Sequence, residues 1–162
     1  MRSESQSALE RAKLSAEGLS VGDGFGERFF APSMHAEIEA RTAPPAPWPY
    51  TDDTVMALGI VSVLEQCGEI DSDELADEFA RRYVAEPNRG YGAGAHRILR
   101  GIHAGVDWRE AAGSVFDGEG SFGNGAGMRV APVGAFFAGD ADAARRNAAA
   151  SWLLVAIATG TV

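Results

Sequence analysis

Thr51-Asp52-Asp53-Thr54 sets two hydroxyls and two carboxylates side by side, between a proline-aromatic run (Pro44 to Tyr50) and an apolar stretch (Val55 to Leu64). Hard cations such as magnesium and manganese take oxygen ligands of this kind, so Thr51, Asp52 and Asp53 are candidate metal ligands. The same residue types cap helix N-termini, where the helix dipole favours acidic side chains. From these four residues alone, both readings stand.

A second unusual stretch runs from Asp117 to Arg129 and carries five glycines within ten residues. Ordering so many glycines costs entropy that a plain connector has no need to lose. A glycine loop entering a helix also presents free backbone amides at the positive helix end, which suits phosphate. The bland alternative is a flexible turn. Three other stretches are weaker. Gly22-Asp23-Gly24-Phe25-Gly26 does not follow a strand, as a dinucleotide fingerprint requires, and Glu27 beside it reads first as a solvated acid. His96 and His103 lie seven residues apart without a third ligand, which points to solvent exposure or a single hydrogen bond. Asp140-Ala141-Asp142 reads first as a helix N-cap.

These residues need elements to hold them. Ser7 to Val21 has helical spacing and runs into the first glycine cluster, where a helix end is expected. Residues 31–50 read as a loop, with Pro44, Pro45, Pro47 and Pro49 barring helix from the second half and Trp48 and Tyr50 available as anchors. Val55 to Cys67 carries a broad apolar stripe and meets Gly68, so a central helix is expected there. Asp71 with Glu74, and Asp107 with Glu110, have capping-box spacing ahead of two further helices. Tyr91 to Gly94 opens another helix, with Ile98, Leu99 and Ile102 on one side. Val130 to Phe137 reads as a buried helix started or bent at Pro132, and Ala143 to Ala158 as an alanine-rich one. No stretch alternates with period two, and the expected fold class is all-α.

With 162 residues and 46% hydrophobic content, the chain is the size of one domain, 1–162, with a real core. Its 23 acids against 14 bases give a net charge of -9, which leaves no basic stripe for nucleic acid or anionic lipid. The single cysteine, Cys67, excludes an internal disulfide framework and a cysteine-rich zinc site; a buried small side chain in a reducing cytoplasm is expected. Met1 to Gln6 does not look like a secretory signal. Trp152 to Ala158 falls short of the ~20 residues that a membrane helix needs.

Taken together, these stretches resemble the ADP-ribosylglycohydrolase family, which includes the activating glycohydrolase of dinitrogenase reductase. The resemblance rests on Gly22-Asp23-x-x-Gly26, Trp48-x-Tyr50-Thr51-Asp52-Asp53-Thr54-x-Met56-Ala57-Leu58, Arg89-Gly90-Tyr91-Gly92, and Gly120-Ser121-Phe122-Gly123-Asn124-Gly125 continuing to Met128-Arg129-Val130-Ala131-Pro132. It covers about residues 8–140, with a divergent tail over 144–162. It implies an orthogonal helical bundle around a binuclear Mg2+ or Mn2+ centre, and hydrolysis of the glycosidic bond between ADP-ribose and a protein side chain or small acceptor. Thr51, Asp52 and Asp53 would then be metal ligands, with Asp52 and Asp53 catalytic. Ser121, Phe122, Gly123, Asn124 and Gly125 would hold the diphosphate and nearby ribose, and Tyr91 and Gly92 would border the site.

The family often has an acid eight positions after the first glycine of Gly-Asp-x-x-Gly; here Phe30 stands there, and Glu27, the nearest acid, would be the catalytic candidate by a slip of register. Family members run to about twice this length and carry near their C-terminus a Gly-Gly-Asp-x-Asp-Thr motif for the remaining ligands, which these 162 residues lack. The chain is therefore read as an N-terminal half. Two rival readings remain: an inactive ADP-ribose-binding fragment, and a helical interaction module that associates through its apolar tail.

Overall fold

The computed structural model describes residues 4–115 and 123–152, and the regular elements among them are all helical. At the centre lies α3 (Asp52–Cys67), which buries Val55, Met56, Ala57, Ile60, Val61, Val63 and Leu64 and so is enclosed on most sides. A helix that is apolar nearly all round must be covered by several others. On one side α1 (Glu4–Glu27) approaches through the small residues Ala8, Ala12 and Ala16, and α7 (Ala131–Phe136) packs against both helices. On the other, α4 (Ser72–Ala85) contributes Leu75, Phe79 and Tyr83. Beyond α4 lie α5 (Ala93–His103) and then α6 (Trp108–Gly113), while α8 (Ala141–Trp152) touches α7 and α4. Each large apolar side chain buried here contributes about 1.5–3 kcal/mol relative to exposure.

The cap signals are realised. Asp71 accepts from the Asp73 and Glu74 amides, and Asp107 from those of Arg109 and Glu110. Asp140 accepts from the Ala143 amide at 2.9 Å, the N-cap role expected of it. Gly68 ends α3 in the left-handed conformation.

Three expectations are corrected. First, α1 does not stop at the glycine cluster but continues through it to Glu27. Packing overrides propensity here. A β-carbon on Gly24 would sit 2.5 Å from the Trp48 carbonyl oxygen, so glycine is what lets the 44–50 segment lie directly on the helix. Second, the 31–50 segment is not all loop, since it contains α2 (His35–Ala40), closed by Arg41 at a φ of 52°. Third, Cys67 is exposed, because it falls in the last turn of α3. The expectations for Asp117 to Phe122 and for the tail beyond Trp152 lie outside the described residues. Among the described residues, no helix is long and apolar enough to cross a membrane.

One cation is enclosed in the core. Arg129 is 0% exposed, and burial pulls its guanidinium down to about 9. It donates to the Ser151 carbonyl at 2.8 Å, lies 3.8 Å from Met56 Sδ, and stacks 4.9 Å from the Phe79 ring centre. A single side chain thus ties α8, α3 and α4 together.

Candidate functional site

Thr51 is the N-cap of α3, with extended backbone (φ -112°, ψ -163°) and its hydroxyl 3.4 Å from the Asp53 amide. That hydrogen bond is long. Most of the capping is done instead by Asp23, from the neighbouring helix α1. Asp23 Oδ2 accepts from the Thr51 amide (2.7 Å), the Thr54 amide (3.2 Å) and the Thr54 hydroxyl (2.6 Å), and Oδ1 accepts from the Thr51 hydroxyl (2.7 Å). The first-turn amides of α3, which would otherwise lack acceptors, are satisfied across a helix pair. Asp52 and Asp53 are thereby released from capping.

These residues share a cavity of about 520 Å³, lined by Asp23, Glu27, Phe30, Thr51, Asp52, Asp53, Gly90 and Asn124 among others. Glu27, Thr51, Asp52, Asp53 and Asn124 are therefore brought together. Tyr91 lies beside the cavity wall rather than in it, one residue after Gly90. Gly92 caps α5, Gly123 and Gly125 are not among the lining residues, and Ser121 and Phe122 lie outside the described residues. Phe30, 82% exposed, stands at the cavity as an apolar group.

The wall opposite α3 is fixed through the backbone. The Asp52 amide donates to the Arg89 carbonyl at 2.7 Å, and Arg89 donates to the Tyr50 carbonyl while stacking 4.1 Å from the Tyr50 ring centre. Gly90 has a φ of 93°, and a β-carbon there would lie 3.4 Å from Asp52 Oδ1. Any other residue would be strained at that φ and would crowd the carboxylate.

Negative charge is concentrated in this cavity, with Arg89 acting on Asp23. Burial first, then the neighbouring charges of Asp53, Asp23 and Glu27, push the Asp52 carboxyl up to about 6. Burial and Asp23 likewise raise Asp53, against the effect of its hydrogen bond to Thr51. Among the described residues, the charges that act on these two carboxyls are acidic ones. Half-buried, like-charged carboxylates in this state favour a proton or a cation.

The donor chemistry fits a hard divalent cation. The one proton of the Thr51 hydroxyl goes chiefly to Asp23 Oδ1 at 2.7 Å, with Asp53 Oδ2 a longer acceptor at 3.4 Å, and its oxygen lone pairs lie beside two half-buried carboxylates. The number of donors is small. Among the described residues, no group of three or more His, Cys, Asp or Glu could hold a metal ion.

Sequence reasoning did not select Asp23 or Gly90 as site residues, although both stand inside the quoted motifs. Replacing Asp23 with alanine is expected to destabilise the chain by about 2–3 kcal/mol, since an interhelical cap and charged hydrogen bonds are lost together. Urea denaturation measures this. A change within experimental error would show that water replaces the carboxylate without cost.

A sequence model described as ADP-ribosylglycohydrolase matches residues 4–154. The ADP-ribosylhydrolase ARH3 of Bos taurus is 42% identical over 87 residues, which is 52% of this chain and 24% of that protein. The Homo sapiens protein of the same name is 41% identical over 86 residues (52% and 24%), and that of Danio rerio 37% over 95 residues (57% and 26%). The aligned region thus spans about a quarter of the length of these curated relatives. With the family model covering nearly the whole chain, the protein belongs to the ADP-ribosylglycohydrolase family.

Proposed function

We infer that this chain supplies one side of a metal-dependent site that hydrolyses the glycosidic bond between ADP-ribose and a protein side chain or small acceptor. The observation that carries this reading is the convergence of Thr51, Asp52 and Asp53 with Asn124 of the glycine-rich loop on one cavity, in a chain of this family. The printed name of the relatives, ADP-ribosylhydrolase, supports the substrate class.

Thr51, Asp52 and Asp53 would hold Mg2+ or Mn2+, with the other positions of a roughly six-oxygen shell taken by water, substrate or residues elsewhere in the protein. A bound divalent ion supplies positive charge that orients ribose hydroxyls and makes water more acidic. The chain's own groups do the rest. Asp23 accepts the Thr51 hydroxyl proton, which would leave the lone pairs of that oxygen to serve a cation. Asn124, with the loop from Ser121 to Gly125, would grip the diphosphate and nearby ribose, and Tyr91 and Gly92 would border the sugar. Glu27, in the same cavity, would take a proton from the attacking water. In the net reaction, the elements of water add hydroxyl to the anomeric carbon and a proton to the departing acceptor. The acidic surface and single thiol suit a cytoplasmic setting.

Phe30 favours a second reading, in which ADP-ribose binds without turnover, because an apolar group occupies the cavity edge where relatives often carry an acid. Chromatographic assay of ADP-ribose released from an ADP-ribosylated protein, with Mg2+, Mn2+ or EDTA, separates the two. Release with metal and none in EDTA is expected. Calorimetric binding of ADP-ribose without release selects the second reading, and neither binding nor release sinks both.

A further inference from the structure

Residues 50–52 form the step into α3, and separate anchors hold each of them. Asp23 takes the amide and the hydroxyl of Thr51. The residues on either side of Thr51 are both held by Arg89, in the turn between α4 and α5. Its carbonyl accepts from the Asp52 amide at 2.7 Å. Its guanidinium donates through Nη1 to the Tyr50 carbonyl at 3.2 Å and lies 4.1 Å from the Tyr50 ring centre.

The guanidinium is itself fixed in direction. Nε donates to Glu86 Oε2 at 2.6 Å, and Nη2 pairs with the same oxygen, three residues back in the chain. A partly exposed pair of this kind adds little to stability, so it accounts for the orientation of Arg89 better than for its presence. A flat cationic face on a ring, with an edge N–H donated to the carbonyl of the same residue, is geometry that a guanidinium offers and an ammonium does not. The effect reaches the cavity through the next residue. A β-carbon on Gly90 would stand 3.4 Å from Asp52 Oδ1, so a shift of the 89–90 backbone moves the wall against which that carboxylate rests.

We propose that Arg89 is a positioning residue for the metal site: by tying Tyr50 and Asp52 to one turn it sets where the Asp52 carboxylate stands, and so how tightly a divalent cation is held. Arg89 itself does not line the cavity and acts through Asp52. The inference rests on the metal reading of Asp52 given above. Losing a group that orients a metal ligand costs about 10–100-fold in affinity. Charge alone predicts the opposite sign, because Arg89 is a cation whose charge reaches Asp23, and removing it would favour the entry of another cation.

The test is Mn2+ titration of the 162-residue chain, read by electron paramagnetic resonance, beside thermal unfolding of each variant in EDTA. Arg89→Lys, which keeps the charge, and Arg89→Met, which removes it, are both expected to bind Mn2+ about tenfold more weakly than wild type. Tyr50→Ala, which removes the ring, is expected to do the same, and adding it to Arg89→Lys to weaken binding by less than a further factor of about two, since the two side chains act as a unit. Val133→Ala, at a fully buried position of α7 outside the cavity lining, is expected to lower the unfolding temperature and to keep wild-type Mn2+ affinity. Equal weakening in Val133→Ala would make the effect one of general stability and overturns the proposal. So does binding by either Arg89 variant that is tighter than wild type or within about twofold of it. Wild type that binds Mn2+ no better than Asp52→Ala overturns the metal reading and this inference with it; wild-type binding with unaffected Arg89 variants overturns this inference alone.

Discussion

Replacing Asp52 with asparagine is expected to raise the unfolding temperature of the metal-free chain and to abolish the further rise that Mg2+ or Mn2+ gives the wild type. In EDTA, Asp52 carries a half-buried negative charge beside the acidic groups Asp53, Asp23 and Glu27. Its folded-state value of about 6 lies above the ordinary carboxyl value of 3.8, so the fold favours the protonated form. That stabilising contribution is complete below the unfolded value and is lost as pH rises through the folded one. Metal-free wild type should therefore lose stability between about pH 4 and 6.5, and the variant should show a flatter profile in the same window. Asparagine keeps the shape and removes the charge. A cation at a hundred times its dissociation constant adds about 2.7 kcal/mol, or roughly 5–10 °C in a domain of this size. Scanning calorimetry at matched pH, with and without Mn2+, measures both effects. If wild type gains nothing from either metal, Asp52 is not a ligand in this chain. Turnover by an active form should fall at least about 100-fold in the same variant, because the charge that holds the ion is gone.

Replacing Arg129 with alanine should destabilise the chain by about 3–5 kcal/mol, the range expected when a large enclosed side chain and its polar contacts are lost together. The guanidinium serves the Ser151 carbonyl of α8. It also faces the Phe79 ring, and its stem fills volume beside Met56. Alanine leaves a cavity and removes the donor to the Ser151 carbonyl. Arg129→Met keeps most of the stem and removes a charge that no carboxylate pairs, so it should recover a large part of the loss. At roughly 2–4 °C per kcal/mol, the alanine variant should unfold about 10 °C lower. A drop of less than about 1 kcal/mol would show that water or a rearranged α8 replaces the guanidinium.

Local signals in the sequence are legible where their physics is local. Thr51, Asp71, Asp107 and Asp140 can be read as caps because an acceptor and the amides it serves lie within three residues. The apolar stripe of α3 and its stop at Gly68 are equally readable, since period and chirality belong to the helix itself. The short helix α2 is harder to see. Six residues, His35 to Ala40, carry too little periodicity to stand out beside four prolines.

What the sequence by itself determined is the inventory and its class: an all-helical chain, an oxygen-rich step into its central helix, and a glycine-rich stretch, in an order that marks a family. Only the tertiary structure decided how these parts work on one another. Asp23 lies 28 residues before Thr51, and no local rule assigns its carboxylate to the first turn of α3. It reaches that turn because α1 and α3 pack side by side, with Gly24 small enough to admit the Trp48 carbonyl. The same packing makes Thr51, Asp52 and Asp53 the lining of a cavity and brings Asn124 to it. Capping acts within a turn, whereas burial and charge repulsion depend on neighbours that only the folded chain supplies.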